Sequence, residues 1–155
     1  MATTKSSSRV ALKIERAFWD TSAIVPLCCH QDTSQEMRGI ARRIKRAAAW
    51  WGTTVEARSA FSRLVREGKM TARGLKQAVA RLEAQHTSWI EVLPSERVRE
   101  IAETLPEQYG LRALDSFQLA AALIWCKEQP RGRWFVCADT RLAEVAAKVG
   151  FNILP

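Results

Sequence analysis

The segment RAFWDTSAIVPL, residues 16–27, decides the fold of this chain. Its first four residues form a short, apolar and aromatic run, which favours a buried β-strand, and Asp20 follows that run. Residues 21–29 are again apolar, and they favour a helix despite Pro26. A buried strand that passes through one acid directly into a helix is typical of α/β proteins.

The same alternation of strand and helix continues along the chain. We predict further strands at residues 49–52, 89–93, 133–137 and 151–154, and helices at residues 35–48, 54–66, 71–86, 95–108, 114–127 and 140–148. This order indicates an α/β fold with a mainly parallel sheet, and the nearly continuous apolar strands predict helices on both faces. We expect one domain at residues 16–155, after a flexible N-terminal tail at residues 1–15.

The charge balance favours an anionic partner. Lys and Arg total 24 against 16 Asp and Glu, which gives a formal net charge of +8. A small basic chain favours a polyanion such as nucleic acid, or an acidic protein. The N-terminus resembles no secretory signal, and no apolar run is long enough to cross a membrane.

The cysteines and histidines argue against a zinc site. The chain has four cysteines, none in a C-x-x-C pair, and its two histidines are far apart: Cys28, Cys29, Cys126, Cys137, His30 and His86. We therefore expect reduced core cysteines in a cytoplasmic protein, and histidines at the surface.

Four acids are placed at the beginnings of predicted helices: Asp20, Glu56, Asp115 and Asp139. Ligand sites of parallel sheets lie at the carboxyl ends of the strands, and three of these acids follow the first, second and fourth strands. Asp115 joins them if the N-terminus of its helix points towards the same edge.

Each acid also has a simpler explanation as a helix cap. Asp20 and Asp139 are suitable N-caps, and Glu56 and Asp115 have the spacing of capping boxes with Thr53 and Gln118 respectively. Capping does not explain why several acids would converge in a basic chain. Clustered carboxylates repel one another, and a cation between them relieves that repulsion.

Oxygen ligands without His or Cys favour a hard cation, Mg²⁺ or Mn²⁺. Such an ion activates water and neutralises charge on a phosphate, which is the chemistry of phosphodiester hydrolysis. No P-loop, G-x-S-x-G or G-x-G-x-x-G pattern points to another reaction.

Four blocks of the sequence resemble PIN domains, in the same order and with similar spacing. They are FWDTSAIVPL (18–27), TVEARSAF (54–61), LRALDSFQLAAAL (111–123) and FVCADTRL (135–142), followed by VGF (149–151). The resemblance covers the chain from residue 16 to its end.

This resemblance implies a Rossmann-like three-layer α/β/α sandwich with divalent-metal-dependent endoribonuclease activity. For a single domain of this length it implies a VapC-type toxin, which forms a homodimer and is neutralised by an antitoxin. By position, the catalytic and metal-binding acids would be Asp20, Glu56, Asp115 and Asp139, with Mg²⁺ or Mn²⁺ as cofactor and RNA as substrate.

Family members often add a hydroxyl near the metal. Thr21, Ser22 and, as a weaker candidate, Thr140 occupy suitable positions, although each can be a simple helix cap. Cys137 is a departure, because many members have Ser or Thr two residues before the fourth acid. The pair Trp50-Trp51 is also unusual, and we predict that it lies in the core or on a dimer surface rather than stacking on bases.

Several basic residues are candidates for holding RNA phosphates: Arg58, Arg63, Arg112, Arg141 and the basic stretch at residues 38–46. Each can equally be an ordinary solvent-exposed helix residue, and the basic stretch can instead contact an antitoxin.

Two other protein classes compete with a nuclease. A non-catalytic nucleic-acid-binding or regulatory protein gains nothing from a repulsive acidic cluster. A receiver domain needs an acid pair after its first strand, an acid after its third and a lysine after its fifth. The chain has Trp19-Asp20, Leu93-Pro94 and Leu154-Pro155 at those positions.

Overall fold

A computed structural model describes residues 12–155, and within them five strands alternate with seven helices. The strands are β1 (Ile14–Trp19), β2 (Ile44–Trp50), β3 (Ile90–Val92), β4 (Trp134–Val136) and β5 (Asn152–Leu154). The helices are α1 (Thr21–Cys28), α2 (Ser34–Ala41), α3 (Thr53–Arg66), α4 (Ala72–His86), α5 (Glu96–Tyr109), α6 (Ala113–Trp125) and α7 (Thr140–Val149).

The strands form one sheet in the order β3-β2-β1-β4-β5, and all neighbouring strands are parallel. Phe18 of the central strand pairs with Ala48 on one side and with Phe135 on the other. Strands β2 and β3 are added on one side of β1, whereas β4 and β5 are added on its other side. The strand order thus reverses between β1 and β4, and α/β sheets commonly bind ligands at the carboxyl ends of the strands at such a point.

Successive side chains of each strand point to opposite faces of the sheet and pack into two hydrophobic cores, one on each face. Phe18 and Trp50 pack with residues of α5, α6 and α7. Trp19 and Ala49, their neighbours along the chain, pack with residues of α1 to α4. The helices therefore cover both faces of the sheet, and the predicted three-layer α/β/α sandwich with a parallel sheet is confirmed.

The predicted helix at residues 35–48 was wrong in its second half. The helix ends at Ala41, and Ile44 already begins β2, five residues before the predicted strand at 49–52. β2 has hydrogen-bonded neighbours on both sides, β1 and β3. These two ladders override the helix preference of the Ala, Lys and Arg residues in this stretch.

At the N-terminus, β1 begins at Ile14, two residues before the predicted domain boundary. The predicted tail otherwise falls mostly on residues 1–11, which lie outside the described residues. Among residues 12–155, no helix combines the length and apolar character needed to cross a membrane.

Candidate active site

Asp20 and Asp139 lie at neighbouring strand ends and both cap helices. Asp20 directly follows β1, is only 4% exposed, and accepts the backbone N–H of Ser22 at 2.9 Å. Asp139 follows β4 and accepts the backbone N–H of Leu142 at 2.8 Å. Capping is therefore one role of both acids, as expected from the sequence.

Glu56 lies in the first turn of α3 but caps nothing. The N-cap of this helix is Gly52, without a side-chain hydrogen bond. Glu56 Oε2 instead accepts the hydroxyl of Thr21 at 3.0 Å and the amide of Gln118 at 3.2 Å. Glu56 Oε1 is buried and has no hydrogen-bond partner among residues 12–155.

Asp115 does not form a capping box either. The N-cap of α6 is Arg112, and no side chain caps this helix. The amide of Gln118 is directed at Thr21 and Glu56 instead. The capping-box explanation was therefore wrong for both Asp115 and Glu56, although both lie in the first turn of a helix, where a carboxylate favours the helix dipole.

The four acids influence one another electrostatically. The pKa of Asp20 is raised to about 6, mainly because the group is buried; hydrogen bonds from Ser22 oppose the rise, and the charges of Asp115 and Asp139 add to it. The charges of Asp115 and Asp139 thus disfavour ionisation of Asp20.

Glu56 shows the same coupling. Burial raises its pKa to about 7, against hydrogen bonds from Gln118 and Thr21, with contributions from the charges of Asp20 and Asp115. The structure thereby brings together all four acids that the sequence singled out, at the carboxyl edge of the sheet.

Two arginines lie near this edge. The pKa of Asp115 is raised by burial and by the charge of Asp139, while the charges of Arg112 and Arg141 lower it. Arg141 also donates to the backbone carbonyl of Gly110 at 2.6 Å. These two arginines are the predicted phosphate-binding residues that stand nearest the acids.

The other predicted basic residues are engaged or distant. Arg58 pairs with Glu83 at 2.9 Å, and Arg63 lies 4.0 Å from Glu67. The stretch at residues 38–46 runs from α2 into the first residues of β2. Residues 44–46 are at the start of β2, at the opposite end of that strand from the acids, whereas residues 38–41 belong to α2, which packs on one face of the sheet.

The hydroxyls of Thr21 and Ser22 have roles other than capping. Thr21 is a donor to Glu56, whereas Ser22 accepts the backbone N–H groups of Ala138 and Asp139 at 2.9 and 3.2 Å. Thr140, the third hydroxyl candidate, is exposed at the start of α7.

Cys137 is buried among the same groups. Its Sγ lies 3.3 Å from the Asp139 carbonyl oxygen, 3.6 Å from Ser22 Oγ and 3.8 Å from Asp20 Oδ2. Burial raises the pKa of this thiol far above its usual range, and the charge of Asp20 adds to the effect. Cys137 therefore remains a protonated thiol, and all four cysteines are free.

The tandem tryptophans divide between core and surface. Trp50 is buried and stacks flat on Phe117, with ring centroids 5.8 Å apart. Trp51 packs edge-on against Trp50 and is 51% exposed. The core prediction thus holds for Trp50, whereas Trp51 presents an indole to solvent beside Gly52 and the α3 N-terminus.

Sequence reasoning missed Gln118 as part of the site. Its side chain is 1% exposed and donates to Thr21, Thr53 and Glu56 at 2.7, 3.2 and 3.2 Å. One feature of the sequence could have indicated its role: Gln118 is a polar residue directly before the uninterrupted apolar run LAAALIW, residues 119–125, of α6.

The donor set of this edge fits a hard divalent cation. It consists of carboxylate oxygens, and one of them, Glu56 Oε1, is buried without a partner. Among residues 12–155, no three His, Cys, Asp or Glu side chains are arranged as they stand to hold a metal ion. Binding would therefore require some of these carboxylates to change rotamer or to act through water.

Sequence comparison gives no relatives, since no family model and no curated protein match this chain. Solved structures do share its fold. A toxin–antitoxin complex from Klebsiella pneumoniae is 14% identical, with 80% of this chain and 87% of that chain covered and a TM-score of 0.55.

Two further solved structures are similar. VapBC-5 of the VapBC family of toxin–antitoxin systems from Mycobacterium tuberculosis is 16% identical, covering 90% of this chain and 97% of that one, with a TM-score of 0.59. VapBC2 from Rickettsia felis, bound to a DNA fragment from its promoter, is 12% identical, covering 90% and 99%, with a TM-score of 0.60. At these identities the likeness shows the fold, and it agrees with the PIN-domain resemblance of the sequence.

Proposed function

We propose that this chain is a divalent-metal-dependent endoribonuclease. The observation that carries the proposal is the meeting of four acids from separate parts of the chain at one sheet edge: Asp20, Glu56, Asp115 and Asp139. Two of them, Glu56 and Asp115, cap no helix. The net charge of +8 over the whole chain favours a polyanionic substrate.

In this proposal the four carboxylates hold Mg²⁺ or Mn²⁺. A bound divalent cation supplies the charge that activates water and neutralises the phosphate during hydrolysis. Thr21 and Gln118 donate to Glu56 and so favour its ionised form. Arg112 and Arg141 hold the phosphates that flank the cleaved bond.

The test is an RNA cleavage assay with Mg²⁺ or Mn²⁺. Asp115→Asn keeps the shape of the side chain and removes its charge, and we expect it to lower the cleavage rate at least about 100-fold. Asp32→Asn is the matched control, because Asp32 is exposed in the turn between α1 and α2. Equal cleavage by wild type and Asp115→Asn contradicts the assigned site, and binding of RNA without cleavage in either metal favours a non-catalytic protein.

We further propose that the chain is the toxin of a toxin–antitoxin pair in the cytoplasm, acting as a homodimer. The shared fold with VapBC proteins supports this role. Large apolar side chains next to the acidic edge also remain uncovered: Trp51, Val55, Leu93 and Leu114 are 51%, 67%, 61% and 59% exposed. Such side chains are typical of a surface that a protein partner covers.

The toxin proposal is tested by expression in a bacterial host. We expect wild type to arrest growth, Asp115→Asn to be harmless, and co-expression of the small protein encoded beside this chain to restore growth. Growth unaffected by active wild-type nuclease contradicts the toxin role and leaves the nuclease proposal standing.

A further inference from the structure

We propose that Gln118 is a positioning residue that, with Thr21, holds one oxygen of Glu56 and leaves the other free for the cation. The inference rests on the proposed metal-dependent nuclease function. It concerns how this chain presents one of its own carboxylates.

The hydrogen bonds have a defined direction. Gln118 Nε2 lies 2.7 Å from Thr21 Oγ1, and Thr21 Oγ1 lies 3.0 Å from Glu56 Oε2. The hydroxyl of Thr21 has one hydrogen, which it donates to the carboxylate, so it accepts from the amide. Thr21 thus donates to Glu56 Oε2, while one N–H of Gln118 is given to Thr21 and the other is shared by Thr53 Oγ1 and Glu56 Oε2, each 3.2 Å away.

The amide orientation follows from the same contacts. Gln118 Nε2 also lies 3.2 Å from Glu56 Oε2. Turning the amide around would place its carbonyl oxygen against that carboxylate, which an ionised acid disfavours. Glu56 Oε2 therefore has its donors supplied by protein, whereas Glu56 Oε1 is buried without one.

Packing alone does not explain a glutamine at this position. Gln118 is 1% exposed, and its own carbonyl oxygen is buried without a partner among the described residues. An unpaired buried polar atom destabilises a fold, so an apolar side chain would serve packing better here. The glutamine is instead suited to holding the Glu56 side chain, because its hydrogen bonds connect α6 with Thr21 of α1 and with Glu56 of α3.

The substitution Gln118→Met tests this role, since methionine has a similar length but no N–H donor. We expect the dissociation constant for Mn²⁺, measured by calorimetric titration, to rise about tenfold. In the Glu56→Gln background the same substitution should cause no further loss, because the residue acts through Glu56. Ser116→Ala is the control: this buried hydroxyl of α6 bonds only the Arg112 carbonyl, and its loss should leave Mn²⁺ affinity unchanged.

Thermal unfolding of each variant shows whether it folds, and Thr21→Val takes the place of Gln118→Met if the latter does not. Folded Gln118→Met with wild-type Mn²⁺ affinity overturns the positioning role while the metal site stands. An equal loss in the wild-type and Glu56→Gln backgrounds also overturns it. Absence of saturable Mn²⁺ binding by wild type instead overturns the proposed function, and the inference with it.

Discussion

The hydroxyl oxygen of Ser22 lies 3.2 Å from the backbone nitrogen of Asp139 and accepts its N–H, although 117 residues separate them in sequence. The same oxygen accepts the N–H of Ala138 at 2.9 Å. Because Ser22 follows Asp20 by two positions, this contact fixes the ends of β1 and β4 relative to each other. Together with the β1–β4 ladder and the hydrogen bond from the Asp20 N–H to the Val136 carbonyl, this hydroxyl helps to set the spacing of two candidate metal-binding acids.

We predict that Ser22→Ala lowers both stability and activity. Two N–H groups lose their side-chain acceptor, which should lower the free energy of unfolding in urea by about 1–2 kcal/mol. RNA cleavage should fall at least about tenfold at temperatures where the variant is fully folded, since the backbone of Asp139 loses its contact with the Ser22 hydroxyl and the carboxylate is positioned less accurately. Ser22→Thr keeps the hydroxyl and is the control; equal losses in both variants would contradict this explanation.

The buried carboxyls predict a pH-dependent stability of the metal-free protein. The folded-state pKa values of Asp20 and Glu56, about 6 and about 7, lie above their values of 3.8 and 4.5 in an unfolded chain. A raised folded-state pKa stabilises the fold at low pH, and this contribution is lost as the pH rises from about 4 to about 7. Added Mg²⁺ or Mn²⁺ should therefore raise the melting temperature more at pH 7.5 than at pH 5.5.

Asp20→Asn should raise the stability of the metal-free protein and abolish its activity. Asparagine caps helices as well as aspartate does, and it removes a buried charge. At pH 7.5 we expect the metal-free variant to be more stable than wild type, on the order of 2 kcal/mol, and inactive on RNA. Calorimetric unfolding at pH 5.5 and 7.5 measures this; a variant less stable than wild type at both pH values would show that the Asp20 charge is not destabilising.

A substitution at Cys137 should strengthen metal binding. The thiol lies 3.8 Å from Asp20 Oδ2, and a hydroxyl at this position would be the stronger donor to that carboxylate. We expect Cys137→Ser to bind Mn²⁺ more tightly than wild type by about two- to fivefold. Cys126→Ser is the control, because Cys126 is a buried, free cysteine at the C-terminal end of α6, whereas Asp115 lies at the start of that helix. Weaker Mn²⁺ binding by folded Cys137→Ser would contradict a role for this position beside the metal.

Arg112 predicts how the substrate is held. If it contacts a phosphate, Arg112→Ala should raise the KM for RNA with little change in kcat. It should also reduce the slope of log KM against log salt by about one. Arg73→Ala removes an exposed arginine near the start of α4 that is not a phosphate-binding candidate, and it should leave both quantities unchanged. A fall in kcat alone would assign Arg112 to the chemical step instead.

The order of strands and helices was predictable because each element is encoded in a short, continuous stretch of sequence. The segment from Phe18 to Leu27 contains a strand, an acid and a helix in immediate succession, and the segment from Phe135 to Leu142 has the same order. The boundary between α2 and β2 was not predictable. Ile44 to Ala48 has the composition of a helix, and only pairing with β1 and β3 makes it a strand.

The positions of the four acids near strand ends and helix starts were predictable, but their hydrogen-bond network was not. Asp20 and Asp139 follow strands, so the topology places them together. The roles of Thr21 and Gln118 depend on contacts between residues 97 positions apart, for which the sequence has no periodic pattern. For the same reason the sequence could not show whether Glu56 caps its helix, whereas the hydrogen bonds of that side chain show that it does not.

The most direct test of the account is the location of Mn²⁺ in crystals of the wild-type protein soaked with MnCl₂ at pH 7.5. We predict an anomalous difference peak at the carboxyl edge of the sheet, bounded by Asp20, Glu56, Asp115 and Asp139, and its loss in crystals of Asp115→Asn. A manganese peak elsewhere in the molecule, with this edge empty at a concentration that supports RNA cleavage, would contradict the central claim.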